Sequence, residues 1–195
     1  TVDDLEPKTE YHYRIYAINA LGTGDASTAA AATTFDVPEP ITDLAGTASS
    51  SAIVLTWSEP DDNGLTILVY RLQVESFSTP GQWSTISSTI TDTTYTQGNI
   101  VDNLLYKFRV FSVNSLGLSD ASNVAAVWTL PTAPTGVTAT AISGTEIDVA
   151  WTTSTGITYE LEHSTDNVTF TPEADPATTP YSDTGLTIDT THYYR

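Results

Sequence analysis

The sequence predicts an all-β chain built from tandem two-layer β-sandwiches. Three observations point there. Apolar residues alternate with polar ones at period two, long stretches recur after about 90 residues, and each long copy holds a Trp at the same place in its repeat. Alternation of that kind puts one face of a strand in a core and the other in water.

The repeat comes first. Ile53-Val54-Leu55-Thr56-Trp57 matches Ile147-Asp148-Val149-Ala150-Trp151, and Tyr70 to Val74 matches Tyr159 to His163. Tyr95 stands five residues before Ile100 as Tyr181 stands five before Leu186. A third copy is partial: Leu5 to Arg14 matches both Ile100 to Arg109 and Leu186 to Arg195. The first two of these run on in parallel, Asn19 to Ser27 corresponding to Asn114 to Ser122.

Proline marks the boundaries, because it removes a backbone donor and fixes φ. Val37-Pro38-Glu39-Pro40 and Pro131-Thr132-Ala133-Pro134 divide the chain into 1–37, 38–131 and 132–195. Linkers this short predict neighbours set end to end with limited freedom.

Strand by strand, Ile53, Leu55 and Trp57 share an inward face. So do Tyr70, Leu72 and Val74, and likewise Tyr106, Phe108 and Val110. The run Ala29 to Ala32 is too short for an isolated helix and aligns with the strand-like Val124 to Val127. Asp62-Asn63-Gly64 and Ser164 to Asn167 have turn chemistry, since Asn and Gly tolerate positive φ. The expected core residues are Trp57, Trp151, Tyr11, Tyr106, Tyr70 and Tyr159.

The string Leu5-x-Pro7-x-Thr9-x-Tyr11-x-Tyr13-Arg14, followed by Ala17-x-Asn19 and Gly22, resembles the E–F corner, strand F and F–G loop of fibronectin type III domains. Tyr106-x-Phe108-Arg109-Val110 with Asn114 and Gly117 is similar, and Trp57 to Gly64 resembles the family's strand B and B–C loop. The resemblance implies an immunoglobulin-like sandwich in tandem: strands F and G in 1–37, a complete domain in 38–131, and strands A to the start of F in 132–195. It also implies tyrosine corners at Tyr11 and Tyr106, where a phenol bonds nearby backbone. The last copy departs from the pattern with His192 at that place. Binding motifs of the family often sit in the F–G loop. Here Ala20 to Ala26 and Ser115 to Ala121 are small, alike and without Arg-Gly-Asp, which fits a repeated spacer.

The charge is −18, from 24 acidic and 6 basic residues, which argues against nucleic acid and anionic membranes as partners. No window reaches the roughly 18 apolar residues of a spanning helix, so no membrane insertion is expected. The absence of Cys excludes disulfides and thiolate metal sites. A polar start and no Met fit a piece of a longer or processed protein, and the surface, rich in Thr and Ser and poor in Lys, fits an extracellular or cell-surface one.

Chemistry is scarce. His12, His163 and His192 fall at non-equivalent places, so no catalytic constellation recurs, and no cofactor is implied. Paired carboxylates such as Asp61-Asp62 read as solvated turns rather than a glycosidase pair. Asp61, Asp62 and Asn63 offer oxygens to calcium, but their spacing is not that of an EF-hand, and a plain turn is the simpler reading. Asn167-Val168-Thr169 is a glycosylation sequon in a turn.

Half-copies at both ends leave three readings open: a window of a longer repeat protein, completion of one copy by another molecule's strands, or completion within the chain. The expected function is a non-catalytic structural or adhesive module of a surface rod, filament or fibre, possibly joined head to tail. The alternative is a spacer in a secreted carbohydrate-active enzyme. Partners would be other copies or neighbouring repeats, with a protein or carbohydrate ligand possible. Phe77, Trp83 and Trp128 are the residues a receptor-like contact would use, unless they serve edge packing.

Overall fold

Alternating side chains decide how the chain folds: in the computed structural model, which describes residues 1–176 and 178–195, every regular element is a β-strand. The strands fall into two compact units, Thr1–Leu130 and Pro131–Arg195.

The first unit opens with β1 (Glu10–Tyr13), β2 (Tyr16–Asn19), β3 (Gly22–Ala26) and β4 (Ala30–Thr33), paired as two-stranded ribbons β1-β4 and β2-β3. The alanine run is thus a strand. A sandwich follows. Its strands are β5 (Ala45–Ala48), β6 (Ala52–Thr56), β7 (Val69–Glu75), β8 (Trp83–Ile90), β9 (Thr94–Gly98), β10 (Leu105–Val113) and β11 (Ala125–Trp128). One layer has the order β5-β6-β9 and the other β11-β10-β7-β8, antiparallel throughout.

Thirteen buried apolar residues fill the space between these layers, which makes it the principal core of the chain. Ile53 and Leu55 come from β6, Leu72 from β7, and Phe108 and Val110 from β10, all at 0% exposure. Trp57 sets its edge against Tyr70, ring centroids 5.4 Å apart. Tyr106 accepts a hydrogen bond from the Val101 amide at 2.9 Å, which ties the crossing between layers to strand β10. Asn123 closes the other side by exchanging two 2.9 Å bonds with the Leu44 backbone.

The second unit has β12 (Thr135–Ser143), β13 (Glu146–Thr152), β14 (Leu161–Ser164), β15 (Thr171–Ala174), β16 (Tyr181–Thr184) and β17 (Tyr193–Tyr194). Its layers are β12-β13-β16 and β15-β14-β17. Its buried apolar cluster is Val149, Trp151 and Leu161, with Ile147, Tyr159, Tyr181 and Tyr194 packed around them.

Tyr11 and Tyr159 differ in how far they join a core. Tyr11 is half-buried and outside both buried clusters, because its ribbon has no facing sheet. Its hydroxyl still accepts the Glu6 amide at 3.0 Å, so the corner forms without the core. Tyr159 is also half-buried: it flanks Trp151 at 5.6 Å while its hydroxyl accepts the Ser154 amide.

The turn Ser164 to Thr169 is closed by Asp166, whose carboxylate accepts the Val168 and Thr169 amides, both at 2.8 Å. Those amides, together with the Ser164 hydroxyl, hold its carboxyl down from 3.8 to about 2.

Replacing Tyr106 by Phe removes the bond that the Val101 amide makes to a ring only 8% exposed and should cost about 1–2 kcal/mol in urea unfolding. Tyr11→Phe, in an open ribbon, should cost less than about 0.5 kcal/mol. Asp166 is stabilising while ionised, so its contribution is present above its ordinary 3.8 and fades as the pH falls toward about 2. The melting temperature of Asp166→Asn should therefore lie below that of the parent chain at neutral pH and converge on it across that window.

Candidate functional site

Strands β7, β8 and β10 turn their second face outward, and there the side chains are charged and aromatic rather than merely polar. Arg109 of β10 lies over the ring of Trp83 from β8 at 4.3 Å and near that of Phe111 at 5.3 Å. Its Nε donates to Gln73 Oε1 of β7 at 2.8 Å, which fixes the guanidinium plane. Lys107, two residues earlier on the same face, meets Glu75 at 2.8 Å. That ammonium and the Gly81 amide hold the Glu75 carboxyl below its ordinary value. Arg71 pairs in register with Phe111, so three of the six basic residues of the chain, Arg71, Lys107 and Arg109, gather on this face.

The other expected contact residues lie toward one end of the same sandwich. Phe77 is 50% exposed and set edge-on against Tyr106 at 4.7 Å; Trp128 is 63% exposed. They line a groove with Pro80, Leu104 and Lys107. Trp83, by contrast, is covered on one side by Arg109.

Asp61, Asp62 and Asn63 form a turn. Asp61 accepts the Asn63 amide at 2.9 Å and Asp62 the Gly64 amide at 2.8 Å, while Asn63 takes a φ of 51°. Asn63 Nδ2 donates to the Val37 carbonyl at 2.7 Å, and Asn114 Nδ2 to that of Asp36 at 2.8 Å. One oxygen of Asp61 and one of Asp62 thus serve the backbone of their own loop. The amide of Asn63 reaches back to the segment before the sandwich, where Lys8 and Glu39 form an ion pair.

The histidines divide. His12 is exposed beside Glu10 at 3.4 Å. His163 and His192, 29 residues apart, meet: Nε2 of one is 2.7 Å from Nδ1 of the other. His192 Nε2 lies 3.4 Å from the Thr187 carbonyl, the place at which the other corners use a Tyr hydroxyl and a backbone amide. With His192 donating there, its Nδ1 accepts from His163. A His163 ring nitrogen, a Glu173 oxygen and an Asp183 oxygen also lie within 4.8 Å of one another. Asp183 is 4% exposed and accepts the Tyr194 hydroxyl at 2.8 Å. Burial, then this carboxylate, push the Tyr194 phenol well above its ordinary value.

Reading the histidines one copy at a time missed this cluster. Aligning Val74 with His163 and Phe108 with Tyr194 brings it into view, because those pairs occupy matching registers: Phe108 opposite Val74, Tyr194 opposite His163.

Comparison with known proteins agrees with the geometry. Residues 39–128 match the family model "Fibronectin type III domain". The Drosophila melanogaster protein "Tyrosine-protein phosphatase Lar" is 28% identical over 84% of this chain and 8% of its own length. The Gallus gallus "Cell adhesion molecule DSCAM" is 31% identical over 78% of this chain and 8% of its own. The chain thus spans less than a tenth of either relative. Among solved structures, the chicken CNTN1 FN1-FN3 domains align over 99% of this chain and 71% of theirs, at 22% identity and a TM-score of 0.43. Residues 39–128 thus form a fibronectin type III domain, and its corner, loop and register recur in the flanking segments, as in a tandem array of such domains.

Proposed function

We propose that the chain is a non-catalytic adhesive segment of an extracellular or cell-surface protein, a rod whose outward β7-β8-β10 face contacts other copies of the same protein. Residues 1–37 would supply strands F and G of one domain, 38–131 a complete domain, and 132–195 strands A to the start of F of the next. The Trp83–Arg109–Phe111 ladder is the observation that supports this reading most. Trp and Arg are the side chains most often responsible for binding energy at protein interfaces. A basic strip in a chain of charge −18 is also complementary to the acidic surface of another copy. Cell adhesion is what one relative's name describes.

Beads coated with the chain should cluster, and clustering should weaken as salt rises above about 0.15 M, because the contacting charges are only half-buried and salt reaches them. Arg109→Glu should lower it by about fivefold or more, whereas Lys8→Glu, away from this face, should leave it within about twofold. Beads that stay dispersed, or that cluster equally with Arg109→Glu, would contradict the reading.

A further inference from the structure

Five positions of the second unit change character together relative to their counterparts in the complete sandwich. His163 stands where β7 has Val74, since each faces the equivalent residue of the neighbouring strand, Tyr194 or Phe108. Asp183 stands where β9 has Gln97, since each pairs with the equivalent Ile, Ile147 or Ile53. Glu173 stands where β8 has Ile86, both being the residue skipped at a register shift. In one ladder Leu72 and Gln73 pair with Ser87 and Thr85; in the other Leu161 and Glu162 pair with Ala174 and Pro172. Tyr194 replaces Phe108, and His192 replaces Tyr106.

In the complete sandwich Val74 and Ile86 pack on the main core, and Phe108 is fully buried within it. In the second unit the same end holds an imidazole and two carboxylates whose donor atoms lie within 4.8 Å of one another. A fold that elsewhere puts Val74, Ile86, Phe108 and a neutral Gln97 at these positions gains nothing from two like charges set so close, one of them on a residue 4% exposed. One Asp183 oxygen takes the Tyr194 hydroxyl, and no protein donor meets the other among the described residues.

We propose that His163, Glu173 and Asp183 form a binding site for a divalent transition cation of the zinc class. One nitrogen and two carboxylate ligands suit zinc, whereas calcium takes six to eight oxygens. Zinc bonds of about 2.0–2.2 Å place tetrahedral ligands roughly 3.3–3.5 Å apart. From separations of at most 4.8 Å the site has no more than about 1.5 Å to close on binding, a movement open to Glu173 because it is exposed. Tyr194 orients the Asp183 carboxylate, and His192 holds the His163 ring at 2.7 Å; hydrogen bonds of this kind are what outer partners supply to metal ligands. The cation neutralises the two carboxylates and ties β14, β15 and β16 together across both layers of a unit whose buried apolar core has three residues.

Calorimetric titration of the 195-residue chain with zinc chloride tests this, with cobalt(II) as a visible-absorption probe. The expected result is one saturable site, weakened at least tenfold by Glu173→Gln and by His163→Ala, and unchanged by Asp92→Asn, an exposed acidic control. Circular dichroism confirms that each variant folds; if His163→Ala does not, Glu173→Gln decides alone. No saturable binding, or binding that Glu173→Gln leaves within twofold, or equal weakening by Asp92→Asn, would overturn the proposal.

Discussion

Trp57 presents its edge to Tyr70 between two β-layers, and Trp151 lies tilted against Tyr159 in the same place one repeat later. In both rings the indole Nε1 is buried with no hydrogen-bond partner among the described residues. Packing must therefore outweigh the roughly 1–3 kcal/mol that an unpaired buried donor costs. Deleting a buried Trp typically costs about 3–5 kcal/mol, so it does. Strand direction, register and corner all serve to bring layers together over that ring. The difference between the units is what else arrives. The first ring is joined by residues from β6, β7, β10 and β11; the second has Val149 and Leu161 as its fully buried companions.

Residues 1–36 separate local from global instructions. They reproduce the F–G hairpin of the complete sandwich almost bond for bond. Asn19 caps Leu21 and Gly22 as Asn114 caps Leu116 and Gly117. Ser27 accepts the Ile15 amide at 3.1 Å as Ser122 accepts that of Val110 at 2.9 Å. Thr34 Oγ1 reaches the Glu6 carbonyl as Thr129 Oγ1 reaches that of Val101. Yet Ile15 is 76% exposed, where its counterpart Val110 is fully buried. Short-range polar spacing writes the hairpin; burial needs a partner sheet that this spacing does not encode.

The same distinction explains what was legible beforehand. The fold class, the strand faces and the turns at Asn63 and Asn167 follow from alternation, repetition and φ preference, which the sequence displays directly, and the corner at Tyr106 from resemblance to the family. The pairing of His163 with His192 and the approach of Glu173 to Asp183 do not. They depend on which residue is skipped at the β14–β15 bulge and on how β16 and β17 register across two layers. Likewise, the sequence left Asp61 and Asp62 between a plain turn and a cation site, because composition does not show that each already accepts a backbone amide of its own loop. Asn63 reaching Val37 is a contact 26 residues distant, without local signature.

Native-state hydrogen exchange tests directly whether an indole-centred core organises this molecule. Amides of Leu55, Leu72, Phe108 and Val110, all at 0% exposure, should exchange only by global unfolding of the complete sandwich. Those of residues 10–33 should exchange far faster despite their hydrogen bonds. Protection across 10–33 equal to that of Phe108 and Val110 would contradict the account, since hairpin bonding without a facing sheet would then suffice for stability.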